Sequence, residues 1–154
     1  MNIRTSLSGL GLAIMLSCSD DGWDVSNFAD DSSIQTVNGR WKVESFEDHQ
    51  TGRTEYQTQE NSWGFDIVIS FDDTQAPKVF GGQVTTNGVA GEFDYVGPRQ
   101  LKILRYGSTF VGQPEWADKF GSAITGEEVY FRVNSHQLRI LYDNQSKSIT
   151  LTKQ

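Results

Sequence analysis

Residues 79–95 read Val79-Phe80-Gly81-Gly82-Gln83-Val84-Thr85-Thr86-Asn87-Gly88-Val89-Ala90-Gly91-Glu92-Phe93-Asp94-Tyr95. Two runs with strand-like alternation flank Asn87-Gly88, which predicts an antiparallel hairpin. Both central positions of a type I′ turn need positive φ, and Asn-Gly supplies it at little cost. Residues 79–85 then form one strand. The return strand sets Gly91, Phe93 and Tyr95 on one face and stops at Gly97-Pro98.

The same period continues outward in both directions. Upstream, Gly39-Arg40-Trp41-Lys42-Val43 opens the folded part, and Ile67, Ile69 and Phe71 share one face of a strand ended by Asp72-Asp73-Thr74. Downstream, residues 101–106 are apolar on both sides, which predicts a strand covered twice. The period changes once, where Pro114, Trp116, Phe120, Ala123 and Ile124 form the stripe of an amphipathic helix closed by Gly126. Gln113 is a weak cap for it. Period two resumes with Val129, Phe131 and Val133, turns at residues 134–137, and continues through Leu138, Ile140 and Tyr142 to Ile149 and Leu151. The pattern predicts an α+β domain, a mainly antiparallel, curled β-sheet packed against one α-helix near residues 114–125.

The N-terminus carries a different signal. Arg4 precedes an apolar stretch at residues 7–16 and the run Met15-Leu16-Ser17-Cys18, and Cys18 is the sole cysteine of the chain. The stretch is too short for a bilayer, which needs about 20 apolar residues, and has the length of a secretory signal core. The reading is a bacterial lipoprotein signal over residues 1–17, cleavage before Cys18, and lipidation of Cys18. Several acyl chains on one residue anchor far more firmly than a single chain. Residues 18–37 then read as a flexible acidic tether, on which Trp23 and Phe28 are free to dock or not, and residues 38–154 as the domain. Ser19-Asp20-Asp21 resembles an export tag for the outer face of a Gram-negative cell, although any solvated leader is acidic.

Bulk numbers bound the rest. The chain has 154 residues and a net charge of −7, enough length for one domain with a real core. With its only cysteine assigned to lipid, no internal disulfide is available and packing supplies the stability. An acidic chain without a Lys/Arg run repels phosphate backbones, so nucleic acid is excluded as a partner.

The motifs Gly39-Arg40-Trp41-Lys42-Val43, Phe80-Gly81-Gly82 leading to Asn87 and Gly91-Glu92-Phe93, Leu101-Lys102-Ile103, Thr109, Phe120, Tyr130 and residues 138–143 occur in an order that resembles the META/HslJ-like domain of bacterial lipoproteins. The likeness spans roughly residues 39–153 by motif order. It is carried by turn and core positions, and implies a lipoprotein domain in which none of these residues is catalytic. Many relatives have a cysteine near the Asn of the glycine-rich hairpin. This chain has Thr85-Thr86-Asn87 there, so no redox or disulfide role carries over.

No catalytic constellation stands out. His49 and His136 both fall in turns, where a base lacks an orienting partner and a pocket. No nucleophile elbow, phosphate loop or dinucleotide fingerprint occurs, so no cofactor is implied. Asp20, Asp21, Asp24, Asp30 and Asp31 lack calcium-loop spacing, and Asp72-Asp73 reads as a strand end, so no metal site is assigned. Most of the many aromatic residues read as core. Trp63, in the polar stretch Glu60-Asn61-Ser62-Trp63-Gly64, is the candidate ligand-binding exception. The expectation is a non-enzymatic, lipid-anchored envelope protein, held at the outer membrane of a Gram-negative bacterium, whose domain binds or supports an envelope partner. Two alternatives remain open: a lipocalin-like carrier of an apolar small molecule, and an inhibitor of an envelope or extracellular hydrolase acting through residues 56–65.

Overall fold

A computed structural model describes residues 28–109, 111–125 and 128–154. Cys18, the signal at residues 1–17, Trp23 and Gly126 lie outside these.

Alternation of apolar side chains drives nearly every element into strand. The chain runs β1 (Gly39–Asp48), β2 (Arg53–Tyr56), α1 (Gln59–Ser62), β3 (Ile67–Asp72), β4 (Lys78–Val84), β5 (Asn87–Gly97), β6 (Gln100–Ser108), α2 (Glu115–Ile124), β7 (Val129–Val133), β8 (Gln137–Tyr142) and β9 (Lys147–Lys153). Every pairing is antiparallel, and β1 also pairs with β9. That last pairing closes the sheet into a barrel, with β2 extending the edge of β1 beyond β3. Closure through β1 and β9 pairs two edges that an open sheet would have to protect.

The α+β class is therefore corrected. Among the described residues the protein is mostly antiparallel β, 53% strand against 11% helix, and α2 is a small cover on a closed sheet. The reason lies in β1. Trp41 and Val43 face the interior, a bulge between Val43 and Ser45 shifts the phase, and Phe46 faces inward again. One long strand thereby bends enough to meet β3 on one edge and β9 on the other. A bulge leaves no mark in residue type that alternation reveals.

Two local readings also change. The turn after β4 is made by Thr85 and Thr86, because Val84 pairs with Asn87 and Thr85 takes a left-handed φ of 53°. Asn87 is instead the buried first residue of β5. Strand β6 is not covered twice, since Lys102, Leu104 and Arg105 are exposed on it.

Side chains of the strands and of α2 pack into one core. Trp41, Phe93, Phe120, Phe131, Ile67 and Ile149 are almost fully buried in one cluster. Phe71 meets Phe93 edge to face at 5.4 Å, and Trp116 of α2 meets Phe46 the same way at 4.6 Å. Such pairs are favoured by the ring quadrupole beyond the area they bury.

The end of the segment read as a tether lies on the barrel. Phe28 and Val37 are buried, and Arg139 sits over the Phe28 ring at 5.2 Å. Asp30 accepts from the Val133 backbone and from Arg99, while the Asp31 N–H donates to the Val133 carbonyl. Residues 28–37 thus strap the β6–β7 junction.

Candidate binding surfaces

The outer wall of the barrel has three places that are built rather than bare.

The segment from β2 to β3 is the first. Thr58 caps α1 by accepting from the Asn61 N–H, and the Asn61 side chain accepts from the Thr58 N–H, a reciprocal capping box. The Asn61 amide also donates to the Tyr56 carbonyl and to Glu55. Gln57 donates to the Phe65 carbonyl at 3.0 Å, and Ser62, fully buried, donates to the Thr58 carbonyl at 2.6 Å. This stapling holds Trp63 at a left-handed φ of 56°, a conformation a bulky residue adopts at some cost, and Gly64 follows at 79°. The product is a rigid loop with Tyr56 65%, Trp63 49% and Phe65 51% exposed. Composition singled out Trp63; its two exposed companions follow from the loop geometry.

The second and third places flank α2. Lys119 ties the helix to β2 through Glu55 at 2.6 Å and pairs with Glu115 at 2.9 Å. Burial works against its ammonium, but the bonds to the two glutamates outweigh that and hold its pKa above the ordinary lysine value. On one side of α2, an open cleft of about 390 Å³ runs along Lys119, Ala123, Tyr142 and Lys147. On the other, a cleft of about 740 Å³ lies between α2 and β6.

Asn87 sets the geometry of that larger cleft. Its carbonyl oxygen accepts from Thr109 and the Val111 N–H, and its amide donates to the Val111 carbonyl and to Gln113. Gln113 in turn donates to Asp118 on α2. The hairpin therefore fixes the loop that launches the helix. Sequence reasoning assigned Asn87 to a turn and missed this role, for which its four-way hydrogen-bonding capacity was the available sign.

The histidines do not form a working centre. His49 Nε2 lies 2.9 Å from the Ser148 hydroxyl, the spacing of a base and a nucleophile, and its Nδ1 lies 3.0 Å from the Gln145 carbonyl. Yet Ser148 is fully buried, lines none of these clefts and donates to Glu47. A hydroxyl without access cannot attack a substrate. His136 is exposed in the β7–β8 turn. Asp72 accepts from Thr74 and Gln75, Asp73 from Tyr95, and Asp31 from Ser33. Among the described residues no three acidic, histidine or cysteine side chains gather as metal ligands.

No family model matches the chain, and no curated protein matches it. Solved structures do. The NMR structure of a protein from Burkholderia xenovorans superposes with a TM-score of 0.64 at 11% identity, covering 99% of each chain. The crystal structure of a DUF4847 family protein from Bacteroides vulgatus superposes with a TM-score of 0.54 at 18% identity, over 80% of this chain and 98% of that one. At such identities the shared property is the fold, and the chain is similar to both proteins in that respect alone.

Proposed function

We propose that this chain is a non-enzymatic binding module of a Gram-negative cell envelope, moored to the outer membrane through an acylated Cys18, with a META/HslJ-like barrel that holds a protein partner on its outer wall. The observation that carries the reading is the rigid loop of residues 56–65 with Tyr56, Trp63 and Phe65 turned to water. Aromatic side chains held rigid lose little entropy on contact and dominate binding hot spots. The lipobox at Cys18 supplies the anchor. Among the described residues no helix is long and apolar enough to cross a membrane.

Affinity capture of the intact lipoprotein from detergent-solubilised envelopes tests it, comparing the native sequence with a Trp63→Ala, Phe65→Ala double variant. The reading expects a co-purifying protein that the variant loses. An identical set of captured proteins would overturn it. The hydrolase-inhibitor reading draws on the same exposed loop, and a captured partner with hydrolase activity blocked by the complex would select it.

A further inference from the structure

Residues 28–37 are held on the barrel in the manner of a bound peptide. None of them belongs to a strand. Among the described residues a single backbone bond joins this strap to the barrel main chain, from the Asp31 N–H to the Val133 carbonyl. Barrel side chains grip the rest. Asn134 donates to the Ala29 carbonyl at 3.0 Å, Arg99 to the Asp31 carbonyl at 2.6 Å and the Trp41 indole to the Val37 carbonyl at 2.8 Å. The Tyr95 hydroxyl accepts from the Val37 N–H at 3.0 Å.

Side chains of the strap are read as well. Phe28 and Val37 are buried and Ile34 packs against the core cluster, whereas residues 29–33, 35 and 36 are exposed. The Asp30 carboxylate accepts from the Val133 N–H and pairs with Arg99. Grooves that recognise extended peptides combine these two kinds of contact, main-chain bonds for affinity and pockets for a few side chains for specificity.

The strap is also jointed to the sheet. Asn38 is exposed, and Gly39, where β1 begins, has a φ of 134° that side chains disfavour. Turning there frees residues 28–37 and leaves every strand pairing in place. We infer that the groove is an exchangeable peptide site: residues 28–37 leave it as a unit about the Asn38-Gly39 joint, and the same segment of a second copy takes their place. The contacts name that occupant. A second copy carries the aromatic Phe28, the acid Asp30 and the aliphatic Ile34 and Val37 at the spacing this groove holds, and exchange of an identical element is a low-cost route to a dimer. None of residues 56–65 takes part, so this inference and the aromatic-loop reading fail separately.

The test is NMR of the ¹⁵N-labelled full-length chain in detergent micelles, titrated with unlabelled acetyl-Phe-Ala-Asp-Asp-Ser-Ser-Ile-Gln-Thr-Val-amide, the strap sequence. Amide shifts are expected at Tyr95, Arg99, Val133 and Asn134, with the signals of residues 28–37 moving to those of a free segment. Strap amides should exchange with solvent faster than those of β1 and β9. Asp30→Ala in the protein loosens the resident strap and should tighten peptide binding about tenfold, because more of the groove is vacant. The same change made in the peptide should weaken binding about tenfold. Copies with and without ¹³C, mixed in shared bicelles, should give isotope-filtered contacts between Arg139 of one copy and Phe28 of the other, the pair that meets at 5.2 Å within one chain. Four results would each overturn the inference: no shifts in the Asp30→Ala protein up to about 1 mM peptide, equal binding of the native and altered peptides, strap amides that exchange only when those of β1 and β9 do, or contacts of Arg139 with Phe28 confined to one copy.

Discussion

The Asn87 amide donates to the Gln113 side-chain oxygen at 2.7 Å, and through this bond the β4–β5 hairpin holds the loop leading into α2. Asn87 itself is only 1% exposed, and its four bonds to residues 109–113 are part-buried. Asn87→Ala is expected to cost about 1 to 3 kcal/mol, since it removes four hydrogen bonds made by one buried side chain. Urea denaturation reads this as a lower midpoint with an unchanged slope. An effect under about 0.5 kcal/mol, the level of an ordinary surface change, would mean the loop is held by other contacts.

The glycines of the central hairpin divide sharply. A Cβ on Gly91 would sit 2.0 Å from the Arg105 carbonyl oxygen and 2.5 Å from the Phe80 ring, whereas one on Gly88 meets nothing within 4 Å. Backbone of the β5–β6 ladder cannot withdraw without opening the barrel. Gly91→Ala should therefore destabilise by more than about 2 kcal/mol, and Gly88→Ala by less than about 1. Equal melting temperatures for the two variants would refute the packing described around Phe80.

Much of this architecture was legible from alternation alone. Ile67, Ile69 and Phe71 face inward in β3, and Phe93, Phe131 and Leu138 do so elsewhere, because period two and burial are the same physical fact. What was not legible is closure. The bulge after Val43 and the β1–β9 ladder depend on long-range fit, and neither leaves a local composition signal, so alternation predicts a curled sheet packed on one helix where the chain forms a barrel. At the candidate surfaces, Trp63 was visible as an aromatic in a polar stretch.

The helix offers its own measure. Phe120 is fully buried against the barrel core. Phe120→Ala should cost about 3 to 5 kcal/mol, detected by calorimetry as a lowered melting temperature. A loss below about 1 kcal/mol would place the ring outside the core.

High pH should weaken the fold. Tyr95, Tyr106 and Tyr142 have pKa values raised by burial, and Tyr95 also donates to Asp73, which disfavours the phenolate further. A folded-state pKa above the unfolded one means that folding favours the protonated phenol. This contribution is whole below the unfolded value, about 10, and is lost as pH climbs through the folded values. Absorbance at the phenolate band should show two tyrosine classes, one titrating only as the protein unfolds. Tyr95→Phe should reduce the alkaline loss of stability, and an unchanged alkaline midpoint would remove Tyr95 from this account.

The proposed binding on the outer wall and a carrier with an internal cavity differ in one respect, a saturable site for a small apolar molecule. Titration of the native protein with the apolar fluorescent probe N-phenyl-1-naphthylamine tests it most directly. With partners on the outer wall, no saturable one-to-one binding is expected until the protein unfolds. A saturable site that persists in the Trp63→Ala, Phe65→Ala variant would show an internal cavity and contradict it.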